Sequence, residues 1–338
     1  TAPLMLNKIA SAIVHVLINQ STKLTIYPIL QFIIKTFGLM VLGYISFRLF
    51  LPKMWLKPLS TLFVNFLIPV MILHKFLLRF NMEVLLQFWY IPFITLAFLA
   101  IGIAGGYLFG KITRTGFMKE NLALFTFLNS GYLSVPILLE IMKGDTLDLA
   151  IVLLFMYIML LLLLLWSLGV LWITGGETRP KTNTLPVPFV ITAISMILGV
   201  AGVGKYVPGQ VMDILDLIGK IGIYGVMFVL GGILSKIVLK KVRIRGVLLF
   251  VLAKNFVLPL IFISLIWAFN PSKLLGWVLS LACIMPPANN FAVMLEKYRH
   301  RAGNEEFVYP RLLYSYIGAL ISIPVWVFIL ELLYPELL

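Results

Sequence analysis

The sequence has 338 residues, of which 61% are hydrophobic and only 12% are charged. Soluble domains carry about 25% charged residues, so this composition excludes a water-soluble globular protein and indicates an integral membrane protein in contact with lipids. Its net charge of +14 lies mainly in short loops between apolar runs, which is typical of membrane orientation signals and disfavours nucleic-acid binding.

Residue types that carry out catalysis or bind metals are sparse. Cys283 is the one cysteine, and the three histidines, His15, His74 and His300, lie far apart in the sequence. These spacings fit neither a disulfide nor a metal site, and no nucleophile, base and orienting group occur at a recognisable spacing. We therefore expect no cofactor, no metal and no enzyme activity.

The chain begins with a segment of mixed polarity and continues with long apolar runs. Residues 1–26 place apolar side chains at helical spacing and predict an amphipathic helix at the membrane interface. Runs of roughly 20 apolar residues fit helices that cross a bilayer. Ten spans are predicted, near residues 27–50, 57–77, 86–110, 119–142, 148–174, 187–204, 211–235, 244–269, 273–297 and 308–335.

A polar linker, predicted to be cytoplasmic at residues 175–186, divides these spans into two halves of five, residues 27–174 and 187–338. Because five is odd, the two halves have opposite orientations in the membrane, and such inverted repeats are typical of secondary transporters. The predicted fold is therefore an all-α polytopic membrane protein with ten transmembrane helices in two inverted five-helix repeats.

Lysine and arginine are concentrated in alternate loops. The basic set holds Arg48, Lys53, Lys57, Lys111, Arg114, Lys119, Arg179, Lys181, Lys236, Lys240, Lys241, Arg243, Arg245, Lys297, Arg299, Arg301 and Arg311. The opposite loops hold only Lys75, Arg79, Lys143, Lys205 and Lys273. By the positive-inside rule the basic loops face the cytoplasm, so both termini are expected on the non-cytoplasmic side of a plasma or inner membrane.

The fourth span contains polar and helix-breaking residues near its middle. Residues 129–136 read Asn-Ser-Gly-Tyr-Leu-Ser-Val-Pro, in which Pro136 removes a backbone donor and Gly131 weakens a helix. An unpaired backbone group in hydrocarbon costs on the order of several kcal/mol, so broken backbone is tolerated only where it lines a cavity enclosed by protein. We interpret this break as part of a binding site.

The ninth span is interrupted in the same way, by Pro286, Pro287, Asn289 and Asn290. Matching interruptions in two inverted halves indicate a substrate site near the membrane midplane. We expect Pro136 and the two later prolines to lie in the first turns of new half-helices whose N-termini face each other. Backbone N–H groups and uncharged side-chain donors at such a point favour a small anion, most simply a carboxylate.

One lysine inside a span joins the two breaks in the predicted site. Lys254 lies well inside the eighth span, where an ionisable residue is a functional candidate, although a structural role for it remains an open alternative. No carboxylate falls in the middle of the fourth or ninth span, which disfavours a strong cation site. The predicted substrate-binding residues are Asn129, Ser130, Gly131, Ser134, Pro136, Pro286, Pro287, Asn289, Asn290 and Lys254.

These motifs resemble those of permeases of the auxin efflux carrier family. Residues 129–136 are similar to the family's N-x-G-x-x-G-x-P crossover, with Ser134 in place of the second glycine. Residues 285–298 resemble the second crossover, in which a proline is followed by an asparagine and the span closes on a tyrosine. Weaker matches occur at residues 65–69, 225–231 and 254–259.

The resemblance implies a ten-helix fold shared with plant PIN-type auxin exporters and, more distantly, with sodium-coupled bile-acid symporters. In that fold, helices four and nine are broken and cross, and the first, second, sixth and seventh helices form a scaffold. The family moves small organic anions such as auxin, malate or malonate by an elevator-like motion. By position, Asn129, Pro136, Pro286 and Asn289 or Asn290 inherit the crossover roles. The long cytoplasmic loop of plant exporters is missing, so neither its regulation nor auxin as substrate is implied.

The leading hypothesis is a permease that moves a small organic anion outward, driven by the membrane potential. Sodium- or proton-coupled uptake is an alternative, with His74, Glu140 or Asp213 as proton candidates. A transport-inactive receptor or lipid-binding scaffold is an alternative from another class. A homodimer is compatible with the sequence, which leaves the oligomeric state open.

Overall fold

The structure is a computed structural model that describes residues 31–174, 185–239, 242–297 and 304–334. These ranges are predominantly helical and contain no strand, so the all-α prediction is confirmed. The predicted amphipathic segment at residues 1–26 lies outside the described residues, as do residues 175–184 of the linker.

The helices are numbered here in chain order, and the long ones contain short π or 3-10 turns. Their bounds are α1 Ile33–Phe50, α2 Lys53–Arg79, α3 Met82–Thr113, α4 Met118–Thr126, α5 Ser130–Ile141, α6 Gly144–Ile173, α7 Val187–Val200, α8 Gly209–Ser235, α9 Ile244–Phe269, α10 Lys273–Cys283, α11 Asn290–Lys297 and α12 Asn304–Leu333.

Seven of these helices, α1, α2, α3, α6, α8, α9 and α12, are long and apolar enough to cross a membrane. Three shorter helices, α5, α7 and α10, are also apolar. Large apolar side chains cover the outside of the bundle, for example Ile112 at 79% and Phe269 at 83% exposure. A continuous apolar surface of this kind fits contact with lipid.

Packing divides the helices into two groups. In the first helix group, α8 packs against α1 and α2, and α7 packs against α2. In the second helix group, α3 packs against α4 and α6, α9 packs against α10 and α12, and α10 also contacts α5 and α6. The groups meet where α6 contacts α2 and α7 and where α5 contacts α8.

The first helix group is held by very close contact between α1 and α8. A Cβ atom added at Gly43 would overlap the carbonyl oxygen of Phe228, and one added at Gly231 would overlap the carbonyl oxygen of Met40. Only glycine permits two helix backbones to approach this closely. The two glycines therefore fix α1 and α8 against each other at both points.

Contacts between helix ends identify two ends of the bundle. At one end, Arg48 of α1 donates to the carbonyl of Ser235 at 3.3 Å, and Lys236 lies 3.0 Å from Glu296 of α11. We call this the basic end because the described residues of the basic loops flank these helix termini. At the opposite end, Arg79 of α2 pairs with a carboxylate at the start of α6.

One part of the loop assignment was wrong. Lys75 and Arg79 do not lie in a loop but in the last turns of α2, and the Lys75 side chain is only 7% exposed. The span was predicted to end near residue 77, and the helix continues to Arg79, where ion pairs of Lys75 and Arg79 with carboxylates of α6 stabilise the last turns.

Candidate functional site

The two predicted breaks lie side by side in the structure. Residues 127–129 separate α4 from α5, and residues 284–289 separate α10 from α11. The backbone N–H of Asn129 donates to Pro286 at 2.9 Å, and that of Ala288 donates to Phe127 at 2.9 Å. This short antiparallel bridge satisfies backbone groups that have no partner within either broken helix, as a low-dielectric interior requires.

Side chains reinforce this bridge. The Asn129 amide Nδ2 donates to the Tyr316 hydroxyl at 2.6 Å, and that hydroxyl donates to the Pro287 carbonyl at 3.2 Å. Ser130 Oγ donates to the carbonyl of Ala282, near the end of α10, at 2.7 Å. Tyr316 of α12 therefore contacts both breaks and fixes their relative position.

The prolines do not occupy the first turns that the sequence predicted. Pro136 lies inside α5, six residues after the helix begins at Ser130, and Pro286 and Pro287 lie in the extended break before α11. The prediction failed because the α5 start is set by the bridge and by the Ser130 bond, both of which involve the other half of the chain. Within α5, Pro136 deprives the carbonyl of Tyr132 of its usual helical donor.

A small cavity of about 30 Å³ lies at the beginnings of α5 and α11. Its polar lining comes from both breaks, and its apolar lining comes largely from α6. The lining residues at the breaks are Leu128, Asn129, Gly131, Tyr132, Ala288, Asn289 and Asn290. A cavity needs about 10–15 Å³ of such space to hold one water molecule, so this cavity has room for one or two small polar atoms, such as the oxygens of a carboxylate.

A larger cavity of about 220 Å³ adjoins the small one and shares Tyr132, Leu162, Pro188, Asn289 and Asn290 with it. Its remaining lining residues are Ser60, Thr61, Val64, Asn65, Trp166, Pro186, Val187, Val226, Val229, Leu230, Ile233 and Val293. Most of these lie in the parts of α2, α6, α7, α8 and α11 nearest the basic end. The larger cavity therefore extends from the breaks towards the basic end.

The electrostatics of the two cavities come from backbone and neutral side chains. Among the described residues that line them, none is a lysine, arginine, aspartate or glutamate. The starts of α5 and α11 both lie at this region, since Gly131, Tyr132 and Asn290 line the small cavity, and each helix brings the positive end of its dipole there. A neutral, partly apolar site with two positive helix ends can stabilise one negative charge.

Two buried polar atoms near the site have no hydrogen-bond partner within the described ranges. They are Asn289 Oδ1 and Ser134 Oγ, on side chains that are 4% and 0% exposed. Buried polar atoms are nearly always hydrogen-bonded, so each such atom calls for an explanation such as a ligand or an ordered water. Asn289 lines both cavities, whereas Ser134 is among the lining residues of neither.

Lys254 has a different position from the one expected for a substrate ligand. Its side chain is 0% exposed, and Nζ donates to the Met285 carbonyl at 3.4 Å. Lys254 is not among the described residues that line either cavity. The Lys254 side chain therefore supports the backbone that follows the C-terminal end of α10.

Four residues of the site were missing from the sequence-based set. Asn65 lay in a motif whose resemblance to the family was noted, so a signal for it existed. Tyr132 lay within the motif at the first break but was not among the predicted site residues, although it lines both cavities. Trp166 and Tyr316 have no local signal, because only the packing of α6 and α12 brings them to the breaks.

The bundle of apolar helices and the neutral cavity between two broken helices define an integral membrane protein of the transporter class. Comparison with protein families agrees: residues 28–186 and 187–327 match the family described as "Membrane transport protein". The chain belongs to this family, which is the auxin efflux carrier family that the motifs resemble. A search of curated proteins finds no match.

Proposed function

We propose that this protein is a secondary transporter that moves a small organic anion across the membrane by an elevator-type mechanism. Family membership establishes transport as the general activity. The substrate, the site and the mechanism are inferred here from the geometry of the breaks and their cavities.

The proposed topology has ten spans. It counts α4 with α5 as the fourth span and α10 with α11 as the ninth, since each pair is one apolar segment with a break inside it. The halves, residues 27–174 and 187–338, would then each have five spans and opposite orientations, with the broken spans at equivalent positions. The bridge between residues 128 and 287 supports a crossing of these two spans.

The observation that carries the anion proposal is that two helix N-termini meet at one neutral cavity. Gly131 and Tyr132 in the first turn of α5, and Asn290 at the start of α11, all line the small cavity. The first N–H groups of a helix have no acceptor within it, so a carboxylate placed there can accept from the start of α5 and, at Asn290, from the start of α11. The next two N–H groups of α11, those of Phe291 and Ala292, already donate to Ala288 and Asn289. Asn129 and Asn289 add amide groups beside the same position.

The lining of the larger cavity favours a monocarboxylate with an apolar body as the substrate, rather than a dicarboxylate. Its walls are mainly valine, leucine, isoleucine and proline, with Trp166 and Tyr132 as the aromatic residues and only Ser60, Thr61 and Asn65 as further polar groups. Burying a second carboxylate there would cost several kcal/mol, roughly, because too few donors are available to pair with it. A substrate with its charged end at the breaks and its apolar end in the larger cavity matches the chemistry of both regions.

The direction of transport is inferred from the substrate charge and the membrane potential. If the basic end is cytoplasmic, as the positive-inside rule predicts, the larger cavity extends from the breaks towards the cytoplasm. An inside-negative potential then drives a monoanion outward with about 2.3 kcal/mol per 100 mV. The second helix group, which carries both breaks, would move against the first helix group, which would serve as the scaffold.

Proteoliposomes provide the decisive experiment. Purified protein is tested with labelled monocarboxylates and dicarboxylates of matched size under an imposed potential, with and without sodium or pH gradients. We expect flux of apolar monocarboxylates that follows the potential and needs neither gradient. Flux that requires sodium or protons and ignores the potential would instead support coupled uptake, and binding without flux would support a receptor.

The site itself is tested by Asn289→Ala, with Gln87→Ala as a matched control. Gln87 is an exposed amide on α3, so its replacement leaves the cavities intact. We expect Asn289→Ala to raise the Kd of the transported anion by about tenfold or more, the effect of one lost hydrogen bond to a charged group. Equal Kd values for both variants and the wild type would remove the breaks from the binding site.

A further inference from the structure

A cluster of ionisable side chains joins the two helix groups at the end opposite the basic end. At its centre, Lys75 Nζ lies 2.8 Å from Asp148 Oδ1 and 2.9 Å from Asp216 Oδ1. Asp216 belongs to α8 of the first helix group, as Lys75 does through α2, whereas Asp148 belongs to α6 of the second. Lys75 therefore has one partner within its own group and one across the boundary.

The other ion pairs of the cluster are also of two kinds, some within the first helix group and some across the boundary. Lys220 pairs with Asp216 within α8 at 2.6 Å, and His74 Nδ1 lies 3.5 Å from Asp216 Oδ1. Arg79 of α2 pairs with Asp145 of α6, and its Nε lies 3.9 Å from Asp148 Oδ2. With His74 neutral, the cationic and anionic side chains of the cluster balance.

Two further ion pairs cross the same boundary, but they are more exposed. Lys35 lies 2.8 Å from Glu140 with its side chain 48% exposed, and Lys236 lies 3.0 Å from Glu296 with side chains 29% and 47% exposed. Solvent screens exposed pairs and makes them weak. At 7% and 15% exposure, the Lys75–Asp148 pair is the one most able to bias the relative position of the groups.

A buried lysine with a single acidic partner would resist separation strongly, because a buried charge left alone is costly. Lys75 avoids this cost, since Asp216 stays beside it when α6 moves away. Asp148 lies in the second turn of α6, close to the end of the bundle, so water that enters when the groups separate can solvate its carboxylate. The pair can therefore break and re-form without leaving a buried charge alone.

We propose that Lys75, Asp148 and Asp216 form an exchangeable ion pair that holds the second helix group in the position seen here, in which the larger cavity extends towards the basic end. When the second helix group moves, Lys75 gives up Asp148 and keeps Asp216. This inference rests on the proposed function, because it requires relative motion of the two groups.

The two aspartates make opposite contributions under this proposal. Asp148→Asn removes the partner that exists only in the present position, so the alternative position gains population. Asp216→Asn removes the partner that compensates Lys75 after separation, so the alternative position loses population or stays unchanged. If the cluster served only general stability, both substitutions would perturb the bundle in the same direction.

Spin labels on the two groups measure these populations in the full-length protein in nanodiscs. Suitable positions are Met54 on the first helix group and Ile112 on the second, which are 77% and 79% exposed, replaced by cysteine in a Cys283→Ala background. We expect Asp148→Asn to raise the ratio of the alternative to the present distance population by roughly three- to tenfold, the effect of one partly screened ion pair. Asp216→Asn should lower this ratio or leave it unchanged.

Controls separate this effect from misfolding. Asp213→Asn changes the same charge at an exposed site on α8 and should leave the ratio unchanged, and Asp148→Glu should restore it. Shifts of Asp148→Asn and Asp216→Asn in the same direction, or a single distance population in every variant, would overturn the proposal. Normal anion flux without these shifts refutes the exchangeable pair alone, whereas the shifts without any anion flux refute the proposed function alone.

Discussion

The Tyr316 hydroxyl offers the sharpest test of how the two breaks are held. It accepts from Asn129 Nδ2 at 2.6 Å and donates to the Pro287 carbonyl at 3.2 Å, and its side chain is only 2% exposed. Tyr316→Phe removes both bonds and almost no volume. Each bond contributes about 1 kcal/mol net, so the arrangement of the breaks loses about 2 kcal/mol relative to its alternatives.

This loss of stability weakens substrate binding because it lowers the population of the arrangement that can bind. A change of about 2 kcal/mol corresponds to roughly thirtyfold in an equilibrium, and the Kd rises by the inverse of the competent fraction. We therefore expect equilibrium binding of the transported anion to weaken between about threefold and thirtyfold. Tyr314→Phe, on the same helix and only partly buried, is the matched control. An unchanged Kd for Tyr316→Phe, or equal effects of the two substitutions, would refute this reasoning.

Three further substitutions probe the charge, the site and the packing. Lys254→Met removes the cation behind the Met285 carbonyl, and we expect weaker binding of an anion but unchanged binding of its neutral amide analogue, measured as two Kd values. Asn289→Asp places a negative charge in the cavity lining, and anion Kd should rise by at least about tenfold through like-charge repulsion, with the rise reduced at acidic pH. Gly231→Ala forces a methyl group onto a carbonyl oxygen of α1 and should lower the free energy of unfolding by about 3 kcal/mol, whereas Gly38→Ala, where a Cβ meets no atom within 4 Å, should not lower it comparably.

The breaks were predictable because their signals are local. Proline and asparagine within a long apolar run conflict with an unbroken membrane helix, and the structure interrupts the chain at both places. Asn129 and Asn289 were also singled out correctly as residues at the breaks, and both line the small cavity. Their predicted role in binding stays a prediction.

The failures arise where a position is decided by the other half of the chain. Pro136 was expected to begin a half-helix, but hydrogen bonds from residues 129 and 130 to the ninth span set that start earlier. Lys75 was counted as a loop residue, because no pattern in one helix shows that α6 and α8 supply its acidic partners. Lys254 was singled out correctly as an ionisable residue inside a span. Its contact with the Met285 carbonyl could not be predicted, because it depends on how the helices pack.

The close contact of α1 with α8 restricts how the molecule can deform. At Gly43 and Gly231 no side chain separates the two backbones, so sliding of α1 along α8 would force backbone atoms to overlap, and the two helices are expected to move as one rigid body. Relative displacement is left to surfaces lined by longer aliphatic side chains, where α6 faces α2 and α7 and where α5 faces α8. Gly43 and Gly231 thereby hold α1 and α8 together as one unit in any movement of the remaining helices.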